Sequence, residues 1–175
     1  MGISILTTLL LGIVTLGIVY WVYEDRIEKE YVGKGQGIAR AIANLLEGET
    51  IDRYLSSLEK DENYENMLRH LKALQKGAGV EFISIAKIVE GGAVLVFDTH
   101  EVSHAGLGEF YPWSENYGAV ADKLILGESV DPVKIDTEWG RVLAAYEPIY
   151  RVDGTVAAYV GVYISMEEKI GRAHV

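Results

Sequence analysis

A run of uncharged residues at the start of the chain constrains its fold more than any other feature. No Asp, Glu, Lys or Arg occurs from Ile3 to Tyr23, and a helix of that length covers about 30 Å, the thickness of the hydrocarbon core of a bilayer. Tyr20, Trp21 and Tyr23 lie at its far end, where aromatic rings favour the membrane interface. We therefore predict a transmembrane anchor over residues 1–23.

A cleaved signal peptide is the alternative for this run. Such a peptide has a basic start, a shorter apolar stretch and a cleavage site of small residues. Here no Lys or Arg precedes the run, and bulky rings occupy the place of the cleavage site, so a permanent anchor is favoured. We expect residues 24–169 to form one domain outside the cytoplasm, at the inner (plasma) membrane, although the flanking charges alone do not decide the orientation.

The charge balance excludes several functional classes. The 175 residues include 16 Lys and Arg against 26 Asp and Glu, for a net charge of −10, without the basic face that nucleic-acid binding requires. The chain has no cysteine, which rules out a disulfide scaffold, a thiolate nucleophile and a cysteine-type zinc site.

The pattern after the anchor predicts helices first and strands afterwards. We expect the first helix to continue to Leu46 and to end at Gly48. A short helix, Ile51–Leu58, and a longer one capped by Asp61 and ending at Gly77 should follow.

From Gly79 onward, runs rich in β-branched residues alternate with turn signals. The predicted strands are Val80–Val89, Ala93–Asp98, Val133–Asp136, Arg141–Tyr150 and Thr155–Ser165, with a short helix at Ala119–Leu126. Helices followed by a meander of antiparallel strands indicate an α+β domain.

One motif resembles the signature of a catalytic metal site. Residues His100 to His104 read H-E-V-S-H, the spacing with which zinc proteases present two imidazoles and a glutamate on one helix. Here the motif follows a strand directly and meets Gly106 and Gly108, which leaves room for barely two helical turns. We interpret it as a polar junction between a hairpin and a loop, with His100 and His104 as a weak metal alternative. We expect no enzyme in this chain and no cofactor.

The order of elements, together with two segments, resembles a known family. The segments are FISIAKIVEGGAVLVFDT at Phe82–Thr99 and EWGRVLAAYEPIYRVDGTVAAYVGVYIS at Glu138–Ser165. They are similar to the Cache (PDC-type, PAS-like) extracytoplasmic sensor domains of bacterial signalling receptors. The resemblance implies a long helix packed on a PAS-like antiparallel sheet of about five strands. It also implies a small-ligand pocket roofed by the loop between the middle strands.

Candidate ligand-binding residues follow from this resemblance. The roof corresponds to an aromatic stretch that contains Tyr111, Trp113 and Tyr117. Strand alternation puts Tyr146 on the face opposite Arg141, and Asp98 and Tyr163 complete the set of candidates. Tyr163 stands where amine-binding members of the family have a carboxylate. The expected ligand is therefore an organic acid or another non-amine metabolite, with Arg141 as a candidate partner for an anion.

The resemblance implies a ligand-sensing input domain that passes a conformational change across the membrane, with a homodimer through the long helix as a further implication. The family is fused to histidine kinases of two-component systems, diguanylate cyclases, chemoreceptors and phosphatases, and the sequence does not choose among them. Two alternatives stay open. One is a membrane-anchored structural or dimerisation module without a ligand, and the other is a metal-dependent hydrolase that uses the HEVSH motif.

The end of the sequence does not read as natural protein. Ile170–Val175 matches the translation of a common short-read sequencing adapter. We interpret residues 170–175 as an artefact and expect the natural chain to continue beyond Lys169 towards its output module.

Overall fold

A computed structural model describes residues 2–100, 106–113, 118–137 and 140–166 of the chain. The sequence interpretations of Lys169 and of residues 170–175 concern positions outside these residues. The elements in chain order are the helices α1 Gly2–Ala43, α2 Gly48–Ser57 and α3 Glu62–Ala78, the strands β1 Phe82–Val89, β2 Gly92–Asp98 and β3 Phe110–Pro112, the helix α4 Gly118–Ile125, and the strands β4 Val133–Thr137, β5 Gly140–Tyr150 and β6 Val156–Ser165. The predicted α+β class is confirmed.

The strands form one six-stranded sheet in the order β3-β2-β1-β6-β5-β4, with every pair antiparallel. The prediction of about five strands missed β3, which lies inside the aromatic stretch. Three residues that end in a proline carry too little period-two signal to be recognised as a strand. Their pairing with β2 makes them the edge of the sheet.

The two faces of the sheet carry different cores. On one face, α1, α2 and α3 bury side chains such as Ala39, Ile51 and Leu71 against Val160 and Val162 of β6. On the opposite face, β5 and β6 carry buried side chains that pack with α4 and β4, namely Val142, Ala144, Tyr146, Tyr159 and Tyr163. Because residues alternate along a strand, β6 serves both cores at once.

The sequence suggested that Gly48 ends the first helix, and this prediction is wrong. Helix α1 stops at Ala43, and Gly48 is the first residue of α2. A Cβ at this position would lie 2.8 Å from Arg151 Cγ and 2.9 Å from both Arg151 N and Ala157 Cβ. The glycine is therefore explained by the close approach of α2 to the β5–β6 hairpin, a tertiary contact that local helix-ending rules do not contain.

Helix α1 changes its surroundings along its length. Its last third packs on the sheet, where a Cβ at Gly35 would lie 3.1 Å from Ala145 Cβ, and Arg40 Nε donates to Glu147 Oε1 at 3.2 Å. From Leu11 to Tyr23, by contrast, its large apolar side chains are between 51% and 72% exposed. Within the residues that the structure describes, no helix has both the length and the apolar character needed to cross a membrane.

Candidate functional site

A cavity of about 90 Å³ opens on the face of the sheet opposite α1, α2 and α3. Its floor is formed by the central strands, where small residues stand beside each other: Ser84 pairs with Gly161 across β1 and β6, and Ala86 lies two residues further along β1. Because these residues project little or no side chain, they leave a hollow between the larger rings that flank them. The full lining comprises Phe82, Ser84, Ala86 and Ile88 of β1, Ala93, Leu95 and Asp98 of β2, His100, the segment Tyr111–Trp113, Tyr146 of β5, and Tyr159, Gly161 and Tyr163 of β6.

Stacked aromatic rings build one wall of the cavity. Phe82 and Tyr163 are register partners on β1 and β6, and their rings stack with centroids 4.0 Å apart and planes 15° apart. The ring of His100 meets Phe82 edge-on at 4.9 Å, and Tyr146 meets Tyr163 edge-on at 6.1 Å. Both geometries are favourable for aromatic quadrupoles, so this wall is held in place by its own ring contacts.

Two tyrosine hydroxyls introduce polarity into this wall. The hydroxyl oxygens of Tyr146 and Tyr163 lie 3.4 Å apart, and either can be the donor. Both residues are 7% exposed and both line the cavity. Since a hydroxyl both donates and accepts, this pair can meet a donor or an acceptor on a bound molecule.

The roof comes from β3 and the residue after it. Tyr111 pairs with Ala93 of β2, and backbone hydrogen bonds from Leu95 N to Glu109 O (2.9 Å) and from Trp113 N to Gly91 O (3.1 Å) anchor the two ends of the segment. Tyr111 remains 46% exposed, whereas Trp113 is half-buried against the core on the cavity side of the sheet. The roof is thus a short edge strand that pairs with β2 and is followed by Trp113, which packs on the core.

The charged groups near the cavity do not match the expectation that Arg141 pairs with an anionic ligand. Among the described residues, its lining contains no Lys or Arg, and the ionisable groups other than the tyrosines are Asp98 and His100. Asp98 Oδ1 accepts the backbone N–H of His100 at 2.9 Å. Arg141, the predicted partner for an anion, does not line the cavity. Its Nε donates to Asp136 Oδ1 at 2.8 Å, and this hydrogen bond raises the pKa of the Arg141 guanidinium.

The structure brings together most of the residues that the sequence singled out. Asp98, Tyr111, Trp113, Tyr146 and Tyr163 line one cavity, and so does His100. Tyr117 and His104 lie outside the described residues. Contact of these side chains with a ligand stays a prediction. No group of three or more His, Cys, Asp or Glu side chains that could hold a metal ion occurs within the described ranges.

Sequence reasoning missed the floor and part of the wall. Phe82, Ser84 and Ala86 share one face of β1 with Ile88, and Tyr159, Gly161 and Tyr163 share one face of β6. Period-two alternation could have grouped each set. In each set a small residue stands near aromatic residues, and a small residue taken alone only weakens a strand prediction. Its meaning becomes clear once Ser84 is known to pair with Gly161.

No protein-family model and no curated protein matches this sequence. Solved structures similar to it include three of the Campylobacter jejuni chemoreceptor Tlp3. They are the ligand-binding domain in complex with L-valine (17% identity, TM-score 0.43, covering 81% of this chain and 53% of that one), the same domain in complex with 4-methylisoleucine (16%, 0.46, 81% and 52%), and the sensory domain (18%, 0.45, 81% and 54%). These neighbours are ligand-binding sensory domains of a chemoreceptor, proteins of the predicted kind. The chain spans about half the length of the domains it matches. At such identities and TM-scores the likeness carries neither a ligand nor a mechanism over to this chain.

Proposed function

We propose that this chain is the ligand-sensing input domain of a membrane-bound bacterial signalling receptor, and that it binds a small metabolite in the cavity described above. The observation that carries the proposal is the cavity itself: a concave, ring-lined hollow with a few polar groups on its wall. Such a combination is what small-molecule sites require, since rings supply contact area and a few polar atoms fix orientation. Within the described ranges, no group of three or more His, Cys, Asp or Glu side chains could hold a metal ion.

Strand β6 provides a route from the cavity to the long helix. Gly161 and Tyr163 line the cavity, while their neighbours Val160, Val162 and Ile164 belong to the core that contains α1. A ligand that shifts β6 therefore acts on α1 through one layer of side chains. Binding shifts the equilibrium between two states only to the extent that the ligand prefers one of them. A ligand that favours one arrangement of β6 therefore favours the matching arrangement of α1.

The membrane connection is the second part of the proposal. It is supported by the uncharged run Ile3–Tyr23 and by the exposure of the apolar side chains from Leu11 to Tyr23. A test is to express the full chain in bacteria and wash the membranes with alkaline carbonate. Retention of the chain in the pellet, and its loss when residues 2–23 are removed, supports an anchor. Release of the intact chain by the wash overturns the anchor and leaves the cavity proposal to its own test.

A thermal-shift screen tests ligand sensing. The full chain in a mild detergent is heated with a few hundred metabolites, including amino acids, organic acids, amines and uncharged aromatic compounds. A ligand present at 100 times its Kd stabilises the native state by about 2.7 kcal/mol, which corresponds to a Tm rise of roughly 5–11 °C for a chain of this size. We expect a hit that is lost in Trp113→Ala and retained in Arg141→Gln. A silent screen with a cooperatively folded protein would instead favour a structural module.

A further inference from the structure

The composition of the cavity wall indicates what kind of molecule the proposed sensor takes. The stacked pair Phe82 and Tyr163 presents a rigid aromatic surface, Tyr146 stands edge-on to it, and Trp113 lines the roof. A planar ring entering this space can repeat the stacked and edge-on contacts that the wall already makes. A flexible aliphatic chain gains no such geometry and loses rotamer entropy on binding.

The charges of the site disfavour an anion. The described lining includes the Asp98 carboxylate and neither Lys nor Arg, and the whole chain carries a net charge of −10. A carboxylate ligand would leave water without a cationic partner and would meet the field of Asp98, which makes its burial costly. Arg141 lies outside the cavity and donates to Asp136, so it does not offset this cost.

An organic cation would find a single carboxylate in the described lining, that of Asp98. This carboxylate accepts the backbone N–H of His100 at 2.9 Å, so part of its acceptor capacity is already used. Asp98 pairs with Ser84 at one end of the cavity floor. Besides Asp98, the polar side chains of the described lining are Ser84, His100, Trp113 and the tyrosines, whose hydroxyl and ring N–H groups can pair with neutral partners.

The hydroxyl pair supplies the polar handle. Only one of the two O–H groups of Tyr146 and Tyr163 can donate within the pair, and their 3.4 Å separation is long for hydrogen-bonded hydroxyls. A neutral hydroxyl of a ligand can accept from one tyrosine or donate to the other at a better distance, and a carbonyl can accept from either. We infer that the cavity binds a small, uncharged, planar aromatic molecule that carries a hydroxyl or carbonyl group; this rests on the proposed function.

Three probes that differ in charge but share one ring test the inference. Benzyl alcohol, benzylamine and benzoate each place one polar group on a phenyl ring, and at neutral pH they are uncharged, cationic and anionic. Dissociation constants for the full chain in detergent are measured by NMR titration. Each titration is repeated with Trp113→Ala in the same detergent, so that partition into micelles is subtracted. We expect benzyl alcohol to bind at least about tenfold more tightly than either charged probe, a difference of about 1.4 kcal/mol.

A second pair of measurements changes Tyr146 in the wall of the cavity and leaves Trp113 in the roof unchanged. Toluene has the ring without the hydroxyl, so Tyr146→Phe should weaken benzyl alcohol several-fold and leave toluene unchanged. Arg141→Gln, outside the cavity, should alter neither. Equal losses for both probes in Tyr146→Phe would overturn the use of the hydroxyl pair.

The outcomes separate this inference from the proposed function. Tightest binding by benzoate overturns it in favour of an acid, and tightest binding by benzylamine overturns it in favour of a cation near Asp98. Absence of binding by all three probes overturns the aromatic class as well. In each of these cases a hit in the metabolite screen that is lost in Trp113→Ala keeps the sensor proposal, whereas a silent screen removes both.

Discussion

The hydroxyl oxygens of Tyr146 on β5 and Tyr163 on β6 lie 3.4 Å apart at the wall of the cavity. The distance is longer than the 2.7–2.8 Å or so typical of hydroxyl pairs. Both residues are buried, with 7% of their surface exposed. The two tyrosines thus meet in the buried wall without forming a short bond with each other.

The first prediction concerns the energy of this contact. In the ligand-free protein, a double-mutant cycle of Tyr146→Phe and Tyr163→Phe should give a coupling energy below about 0.5 kcal/mol, because a long hydrogen bond contributes little. The free energies of unfolding come from urea titrations of the wild type, both single variants and the double variant. A coupling above about 1 kcal/mol would mean that the hydroxyls are bonded firmly in solution and are not held for a ligand.

The second prediction concerns Gly161 in the cavity floor. A Cβ there would lie 2.9 Å from Tyr163 Cε2 and 3.0 Å from Ser84 Oγ. The Tyr163 ring cannot move away easily because it stacks on Phe82. We expect Gly161→Ala to destabilise the fold by about 1–3 kcal/mol and to abolish the thermal shift produced by any hit from the metabolite screen. An unchanged ligand shift in this variant would move the binding site elsewhere.

The third prediction compares two helix glycines. Gly48→Ala should destabilise by about 1–3 kcal/mol, since the new methyl would press on the backbone nitrogen of Arg151 and on Ala157. Gly37→Ala is the matched control, because nothing beyond its chain neighbours and its own helix backbone lies within 4 Å of its Cβ position and alanine is the better helix former by up to about 1 kcal/mol. Urea midpoints should therefore move in opposite directions. Destabilisation by Gly37→Ala would instead point to a close neighbour on the outer face of α1.

The fourth prediction concerns the ion pair between α2 and the β5–β6 hairpin. Arg151 Nε and Nη2 donate to the two carboxylate oxygens of Asp52 at 2.5 and 2.9 Å, and Arg151 Nη1 donates to Val156 O at 2.7 Å. This hydrogen bonding lowers the pKa of the Asp52 carboxyl below its usual 3.8. Since the folded pKa is the lower one, the stabilisation is fully present above about pH 4 and is lost as the pH falls through the folded value.

Thermal unfolding between pH 6 and pH 2 measures this contribution. Asp52→Asn should destabilise by about 1–2 kcal/mol at pH 6, which is roughly 2–8 °C in Tm, and should converge with the wild type at the acid end. Asp136→Asn, whose carboxylate pairs with Arg141 at an exposed site, serves as the control and should change Tm less than Asp52→Asn does, because solvent screens an exposed ion pair. Parallel curves for Asp52→Asn and wild type would contradict a depressed pKa.

The fifth prediction concerns alkaline pH. Burial raises the pKa of Tyr64 to about 12 and that of Tyr159 to about 12, from an ordinary value of 10.0. Because the folded pKa exceeds the unfolded one, stability is complete below pH 10 and is lost as the pH rises towards 12. Ultraviolet titration should find tyrosines that ionise late, and Tyr64→Phe and Tyr159→Phe should each remove one of them. Loss of an early-ionising tyrosine in either variant would contradict the assignment.

Local sequence signals predicted much of the fold because they depend on nearby residues. Asp61 was expected to cap a helix, and its side chain accepts the backbone N–H of Tyr64 at 2.8 Å. The Glu90-Gly91-Gly92 signal became the turn between β1 and β2, in which Val89 pairs with Gly92. Caps and turns are decided within a few residues of chain, so their chemistry can be read directly.

Sheet register was harder to predict. The sequence placed Tyr146 and Arg141 on opposite faces of one strand, and Tyr146 packs in the cavity-side core. Alternation alone did not reveal that Arg141 sits at the exposed end of β5, beside Asp136 of β4. An orientation within a strand is a local property, whereas the neighbour at each end depends on which strands pair.

The sequence by itself determined the α+β class, the Asp61 cap of α3, the turn between β1 and β2, and most of the aromatic residues that line the cavity. Only the tertiary structure decided that Ser84 lies beside Gly161, that Phe82 stacks on Tyr163, and that Gly48 is a packing residue against Arg151. Those three relationships join residues 77, 81 and 103 positions apart, from 161 − 84, 163 − 82 and 151 − 48. Contacts across such separations depend on the pairing register of the whole sheet, whereas helix caps and turns depend on their immediate neighbours.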